Sequence, residues 1–190
     1  MTDDLSIRLT READMQAHCD IVNRYIEGTT INFRMEPQTP QEWCEDWKKL
    51  SDTHPWLVAE DADGLVLGLA YASPWKPRPA YGWSVETTVY VRDGQHRRGV
   101  GRRLYARLLQ ILDAQGYQSQ IGVIALPNES SVALHEAMGF EHIGTLRNVG
   151  FKHEGWRSTG LWQRSLNQDG AAPPRLLPVS LAYGGDGGGA

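Results

Sequence analysis

Cationic side chains surround a pair of glycines in the middle of the chain, where a strand pattern gives way to a helix pattern. The glycines are Gly99 and Gly101, and the side chains around them are His96, Arg97, Arg98, Arg102 and Arg103. The first amides of a helix lack intrahelical partners, and the helix dipole adds partial positive charge there. Because glycine carries no side chain, a ligand can approach this backbone closely. The segment predicts a pyrophosphate-binding site; the alternative is a solvated basic turn.

The spacing excludes two common phosphate motifs. A P-loop needs a lysine directly after its second glycine, and none follows here. A dinucleotide-binding fingerprint needs a third glycine at the position that Leu104 occupies.

Two further ionisable side chains fall where they can do chemistry. Glu86 lies inside an otherwise apolar strand pattern, and a carboxylate there is costly unless it has a partner or a task. It is either a general base or half of a structural ion pair. His135 lies on a predicted helix and can exchange a proton near neutral pH, or it is a structural helix histidine.

Alternating and helical patterns define the elements that position these residues. The strand before the glycines alternates from Val85 to Val91, and a helix with an apolar stripe runs from Gly99 to a stop at Gly116. Thr10 is the predicted N-cap of a first helix, and another helix begins at a capping box formed by Thr39 and Glu42. Further strands are predicted at 5–9, 56–60, 65–73, 119–125, 141–146 and 160–166, and a further helix at 131–138. The interleaved order predicts an α/β (α+β) domain.

Two loops carry side chains with two possible roles. Phe33, in the segment 27–34, either lines a pocket or fills the core beneath the loop. The proline-rich segment 74–80 holds Lys76 and Arg78 on a stiffened backbone, which favours anion binding, although most such cations are simply solvated.

Composition sets the remaining limits. The chain has 190 residues, 41% hydrophobic and 22% charged, which predicts one domain at 1–166. A formal net charge of −4 argues against a nucleic-acid surface. No metal-ligand spacing, secretory leader or membrane-length apolar run is present, so we expect no metal, no membrane partner and a cytoplasmic location. The Gly-, Ala- and Pro-rich segment 167–190 is predicted to be disordered.

The segments around the glycines resemble those of the GNAT N-acetyltransferases. Residues 97–102 (RRGVGR) are similar to the family's acetyl-CoA motif, although His96 stands where the family has Gln or Arg. Five more segments resemble the phosphinothricin N-acetyltransferase branch, and together the resemblance covers about residues 6–166. These segments are NFRMEPQTPQEW (32–43), PWLVAE (55–60), WKPRPAYGW (75–83), ETTVYV (86–91) and FKHEGW (151–156).

The resemblance implies a GNAT fold, with a central mixed, mostly antiparallel sheet of six to seven strands and about four flanking helices. It also implies acetyl-CoA as cosubstrate, no metal, and direct attack of an amine on the thioester. A backbone amide of the strand 89–91 would stabilise the oxyanion, and Asn128 would contact the pantetheine arm while also capping a helix. The implied cofactor-binding residues are Val89, Tyr90, Val91, Arg97, Arg98, Gly99, Val100, Gly101, Arg102 and Asn128.

The resemblance also suggests roles for the two ionisable residues and for the substrate loops. Glu86 would be the general base, directly or through a water, and His135 would orient the substrate or protonate the leaving thiolate. An amino-acid-like substrate is implied: phosphinothricin, demethylphosphinothricin, or methionine sulfone or sulfoximine. The implied substrate-binding residues are Phe33, Lys76, Pro77, Arg78, Glu86, Thr87 and Thr88.

Two other functions stay open at this point. One is a GNAT enzyme for another amine, such as a polyamine or a protein N-terminus; a polyamine site should be acidic, which Lys76 and Arg78 argue against. The other is a CoA-binding module without turnover, which the retained Glu86 argues against. Members of the family are commonly dimeric, which suggests a homodimer that the segment 151–156 helps to form.

Overall fold

Seven strands form one mixed sheet in the computed structural model, which describes residues 5–166 and 170–184. The sheet order is β1-β2-β3-β4-β5-β7-β6, and among the described strands only the β4–β5 pair is parallel. This confirms the predicted mixed, mostly antiparallel sheet. The strands are β1 Ser6–Leu9, β2 Trp56–Glu60, β3 Val66–Pro74, β4 Ser84–Val91, β5 Ser119–Leu126, β6 Glu141–Lys152 and β7 Gly155–Ser165.

Five α-helices accompany the sheet in the described residues, one more than expected. Thr39 and Glu42 form the predicted capping box at the start of α2, and Gly116, at φ +97°, ends α3 as predicted. The prediction that Thr10 caps the first helix is wrong, because a 3₁₀ turn at Glu12–Asp14 precedes α1. The helices are α1 Met15–Gly28, α2 Pro40–Leu50, α3 Val100–Gln115, α4 Glu129–Ala137 and α5 Val179–Tyr183.

The two faces of the sheet pack against different helices. One core cluster joins the sheet to α3 and contains Val85 and Leu104, whereas the other joins it to α1 and α2 and contains Ile21 and Trp43. Because side chains alternate along a strand, β4 sends Val85, Val89 and Val91 to the α3 side. Glu86, Thr88 and Tyr90 consequently face the α1–α2 side.

The last two strands are longer than their sequence pattern indicated. β6 continues beyond Leu146 to Lys152, through an irregular pairing in which Asn148 has a positive φ of 49°. The segment 151–156 therefore forms the tip of a β6–β7 hairpin. Alternation fails to predict this extension, because the irregular pairing interrupts the period of two.

The chain after the last strand corrects the prediction of disorder for residues 170–184. Val179 and Ala182 are buried there, and the backbone N–H of Val179 donates to the carbonyl of Asp52. The Nε1–H of Trp83 donates to the carbonyl of Pro174 at 2.7 Å. A segment rich in Gly, Ala and Pro can still dock a few apolar side chains on a surface that is already formed. The other residues of the predicted tail, 167–169 and 185–190, lie outside the described residues.

A chain that ends at Leu166 should be less stable than the full chain. It loses the burial of Val179 and several hydrogen bonds, and its free energy of unfolding should fall by roughly 2–5 kcal/mol. Urea denaturation of the two chains measures the difference. A chain that ends at Gly184 keeps all of these contacts and serves as the control. Equal midpoints for the three chains would contradict the packing role.

Candidate active site

The parallel strands β4 and β5 part in the middle of the sheet and leave an open slot. Their pairing covers only Ser84–Glu86, ending at Glu86 opposite Ile121. Beyond it, residues 87–91 and 123–125 line one cavity of about 420 Å³. Backbone groups of β4 that face the slot are thus available to a ligand rather than to β5. One is already used, because the hydroxyl of Tyr25 donates to the carbonyl of Val91 at 2.5 Å.

Half of the predicted site residues meet in this cavity. It is lined by Phe33, Glu86, Thr87, Thr88, Val89, Tyr90, Val91, Asn128 and His135. Asn128 also caps α4, since its Oδ1 accepts from the backbone N–H of Ser131 at 3.2 Å. Asn128 can therefore cap α4 and also contact a pantetheine arm in the cavity. The structure contains the cap, and the contact with the cosubstrate stays a prediction.

Glu86 lies where the strands separate, and its carboxylate forms no ion pair with any described residue. Burial raises the pKa of Glu86, and the positive charge of Lys76 opposes that shift. A carboxylate with a raised pKa at the end of a ligand-sized slot is a candidate general base. The structural ion pair considered as the alternative is absent from the described part of the chain.

Two phenols flank Glu86 on the same face of the sheet. Tyr71 on β3 and Tyr90 on β4 line the cavity, and burial raises the pKa of each. The hydroxyl of Tyr90 accepts a hydrogen bond of 2.9 Å from the side-chain amide of Asn32. Both phenols therefore stay protonated at neutral pH and can donate to a bound substrate.

The side chain of His135 extends from α4 and packs against the backbone of β5 at Gly122. Its Nδ1 donates to the carbonyl of Ser131 at 2.7 Å, so the neutral ring carries its lone pair on Nε2. Nε2 is buried without a hydrogen-bond partner among the described residues. A Cβ on Gly122 would lie 2.5 Å from this nitrogen, so glycine makes room for the ring. Burial lowers the pKa of His135.

The basic turn lies beyond one end of the cavity rather than in its wall. Among its residues only His96 lines the cavity, whereas Arg97, Arg98 and Arg102 are exposed. Gly99, at φ +79°, caps α3. The side chain of Val100 is in the core, so this residue can offer a ligand only its backbone N–H.

The first turn of α3 nevertheless adjoins the cavity. A Cβ on Gly101 would lie 3.1 Å from the side chain of Val91 and 3.9 Å from that of Leu134, and both of these residues line the cavity. The N-terminus of α3, with its unpaired amides and its arginines, therefore lies next to the slot.

The proline-rich loop does not reach the cavity wall. Lys76, Pro77 and Arg78 are absent from the lining, and the Nζ of Lys76 lies over the ring of Trp75, 4.6 Å from its centroid. Lys76 acts on Glu86 only through its charge. These three residues therefore lie outside the cavity lining, and their contacts with a substrate stay a prediction.

Other residues line the cavity although the sequence did not predict them as site residues. Tyr25, Asn32, Tyr71, Ser130, Ser131 and Thr159 all line the cavity. The sequence pattern does not distinguish the two tyrosines from core residues, because they fall on apolar faces of a helix and a strand. The partner of Asn32 lies 58 residues further along the chain, and no local pattern predicts such a contact.

The described residues contain no group of His, Cys, Asp and Glu side chains suited to a metal ion. Among the described helices, none combines the length and the apolar character that crossing a membrane requires.

Comparisons with known proteins agree with this geometry. The acetyltransferase (GNAT) domain family matches residues 7–158. A phosphinothricin N-acetyltransferase of Streptomyces viridochromogenes is 55% identical over 93% of this chain and 95% of its own. An L-methionine sulfoximine/L-methionine sulfone acetyltransferase of Pseudomonas aeruginosa is 33% identical over 88% and 98%.

A solved structure extends the agreement to the fold. The phosphinothricin acetyltransferase of Sinorhizobium meliloti in complex with AcCoA has a TM-score of 0.86 and 30% identity, covering 90% of this chain and 94% of its own. The matched family spans more than half of the chain, including the slot, Glu86 and the basic turn. The chain therefore belongs to the GNAT acetyltransferase family.

Proposed function

We propose that this enzyme transfers the acetyl group of acetyl-CoA to the α-amine of a small amino-acid-like substrate of the phosphinothricin or methionine sulfone type. One observation carries the proposal: an unpaired carboxylate, Glu86, stands at the closed end of a slot in the sheet. The similarity to enzymes named for these substrates supports the substrate class.

The slot fits the cosubstrate in shape and in chemistry. Along Val89–Val91 the backbone pairs with β3 but not with β5, and the groups left open on the β5 side suit the amide groups of a pantetheine arm. Asn128 lines the same cavity. The amides at the start of α3 and the exposed side chains of Arg97, Arg98 and Arg102 suit a pyrophosphate. When bound, acetyl-CoA supplies an acetyl group activated as a thioester.

The protein's part in the reaction begins with removal of a proton from the amine. An α-amine is largely protonated at neutral pH and cannot attack until it loses that proton. The Glu86 carboxylate accepts it, directly or through a water, and its raised pKa makes it a stronger base. Tyr71 and Tyr90 orient the substrate as hydrogen-bond donors.

His135 fits an orienting role better than proton donation. Donation from Nε2 requires the charged ring, and burial disfavours that form. As an acceptor, Nε2 can instead take a hydrogen bond from a group in the cavity. Replacing His135 with alanine should reduce turnover; unchanged turnover would remove the role.

Charge around Glu86 favours a substrate with anionic or polar ends. Burial raises the pKa of Glu86 and of both phenols, and the positive charges of Lys76 and Arg34 oppose that rise, Lys76 at Glu86 and Arg34 at the phenols. Phe33 covers the cavity from the loop between α1 and α2. These features argue against a polyamine. We propose that Lys76, Pro77 and Arg78 approach the substrate when it binds.

A panel of amines tests the substrate class. Thiol release from acetyl-CoA would be followed with L-phosphinothricin, L-methionine sulfone, spermidine and a peptide with a free N-terminus. We expect the first two to have the highest kcat/KM. A faster reaction with the peptide or with spermidine would replace the proposed substrate class. Binding of acetyl-CoA with no amine-dependent release would favour a non-catalytic module.

We also propose a cytoplasmic homodimer that joins through the β6–β7 hairpin. Five apolar side chains of this hairpin are between 49% and 61% exposed: Ile143, Leu146, Val149, Phe151 and Trp156. Such a patch is unusual on a monomer surface. Cys19 and Cys44 are unpaired thiols, which suits a reducing compartment.

The hairpin patch predicts the oligomeric state. Sedimentation should give twice the chain mass for the wild type and the single chain mass for an Ile143→Glu, Val149→Glu double variant. The exposed Leu177→Glu substitution, outside the patch, is the control. A wild-type protein that sediments as a monomer at micromolar concentration would rule the dimer out.

A further inference from the structure

Lys152, at the end of β6, is a buried cation that the reaction does not use. It is only 4% exposed, and burial lowers its pKa. No carboxylate among the described residues forms an ion pair with it. A buried ammonium group without a counter-charge is costly unless all of its donors are satisfied. The burial of Lys152 therefore depends on the hydrogen bonds that its ammonium group donates.

The ammonium group of Lys152 donates to three backbone carbonyls. They belong to Ile26, Asn32 and Arg34, at distances between 2.5 and 2.9 Å. Ile26 lies in the last turn of α1, where carbonyls lack helical partners and a positive charge is favourable. The other two carbonyls belong to the loop that follows. Three donors thus meet three acceptors, and the lysine joins the end of α1 to this loop.

The segment 29–34, which we term the cavity loop, forms one wall of the active site. Ile31, Asn32 and Phe33 all line the cavity. The side chain of Asn32 donates to the hydroxyl of Tyr90, one of the two phenols beside Glu86. The carbonyl of the same residue is held by Lys152. The lysine is therefore one hydrogen-bonded residue away from a phenol of the catalytic cavity.

The β6–β7 hairpin also supports this loop at two other points. The ring of Phe33 lies against Gly150, where a Cβ would come within 2.5 Å of the ring. The Nε2 of His153 donates to the carbonyl of Thr29 at 3.2 Å. Of these contacts from the hairpin, only those of Lys152 join the helix end to the middle of the loop.

We propose that Lys152 is a positioning residue that fixes the cavity loop, and through it Asn32, Phe33 and Tyr90, in the geometry that receives the amine substrate. The lysine touches neither reactant. Its loss frees three carbonyls and lets the loop move relative to β4. The amine should then bind less well, whereas the acetyl-CoA slot and the basic turn, on other elements, should be unaffected. The kinetic consequence rests on the proposed function; the structural consequence does not.

Limited proteolysis and steady-state kinetics of Lys152→Met test the proposal. Trypsin cuts after Arg34, which is exposed at the end of the cavity loop. We expect cleavage at Arg34–Met35 to be at least about tenfold faster than in the wild type, since three charge-assisted hydrogen bonds are lost. The KM for the amine should rise by at least about tenfold, with a smaller change in kcat and an unchanged KM for acetyl-CoA.

Two further variants keep the test decisive. Lys152→Gln retains two donors and should give an intermediate cleavage rate; it carries the test if the methionine variant does not fold. Lys49→Met, at an exposed position on α2, controls for loss of a lysine. Wild-type cleavage and wild-type amine KM in both Lys152 variants would overturn the proposal. A lower kcat, a comparable rise in the KM of both substrates and a lower melting temperature would also overturn it. That combination indicates a general structural role.

The two readouts separate failure of this proposal from failure of the proposed function. If the wild type acetylates none of the amines tested, the function fails, and the cleavage rates still decide whether Lys152 fixes the loop. If the wild type is active and neither the cleavage rate nor the amine KM differs in the Lys152 variants, only the role of Lys152 is lost.

Discussion

Replacing Glu86 with glutamine should lower kcat by about 10²- to 10⁴-fold, the usual range for loss of a general base. Glutamine keeps the size of the side chain and its hydrogen-bonding capacity but cannot accept the amine proton. The KM for acetyl-CoA should change little, because the residues proposed to contact the cosubstrate lie further along β4 and on α3. Steady-state thiol release at saturating amine measures the effect.

The same residue should set the acid side of the pH profile. Burial raises the pKa of Glu86, and only the deprotonated form can accept the proton. Activity should therefore be full above this raised pKa and decline as the pH falls through it. The residual activity of Glu86→Gln should lack this acid limb. Glu141→Gln, at an exposed position on β6, is the matched control and should keep both the rate and the profile.

Two outcomes would contradict the assignment of the base. One is a Glu86→Gln variant whose kcat lies within about threefold of the wild type, which is well below the effect of a lost general base. The other is an acid limb that persists unchanged in that variant, since it would have to arise from another group, with His135 as the first candidate.

The second large effect is expected at the start of α3, where Gly101→Asp should weaken acetyl-CoA binding by at least about tenfold. The new carboxylate would stand among the amides proposed to receive the pyrophosphate, and repulsion between charges about 4 Å apart is worth roughly 1–4 kcal/mol near a protein surface. An aspartate in the first turn of a helix is itself stabilising. The variant should therefore fold, which separates binding from stability.

Gly101→Ala is the control for this experiment, because it adds the Cβ without the charge. That Cβ meets the side chain of Val91 at 3.1 Å, so alanine alone should have a modest effect. Calorimetric titration with acetyl-CoA at two salt concentrations compares the variants. The difference between aspartate and alanine should shrink at high salt. Equal affinities for the two variants would place the pyrophosphate elsewhere.

The local parts of the fold were predictable because their signals are local. The capping box at Thr39 and Glu42 and the stop at Gly116 are decided within a few residues, and both are confirmed. The placement of Glu86 on the face opposite Val85 follows from the two-residue period of a strand. The resemblance to GNAT enzymes added the mixed, mostly antiparallel character of the sheet, which no periodicity contains.

The parts that escaped prediction depend on contacts between distant segments. The docking of Val179 and Ala182 depends on a surface that exists only after the sheet and α3 have formed. The clamp of Lys152 on Asn32 spans 120 residues. In the sequence, Lys152 is an ordinary lysine in a hairpin, and nothing marks it as buried.

The candidate site was likewise predictable where its residues lie on regular elements and not where they lie on loops. Residues carried on β4 and α4, such as Glu86 and His135, line the cavity as expected, because regular elements fix where their side chains point. Lys76 and Arg78 do not line it, because an irregular loop offers no such constraint. We propose that they approach the substrate only when it is bound.

The most direct test of the account is thiol release from acetyl-CoA by the wild-type protein, with and without L-phosphinothricin, together with the mass of the product. We predict release that depends on the amine and a product heavier by one acetyl group. Release that is the same without the amine, or none at all in protein that binds acetyl-CoA, would contradict the assignment of this site as an amino-acid N-acetyltransferase.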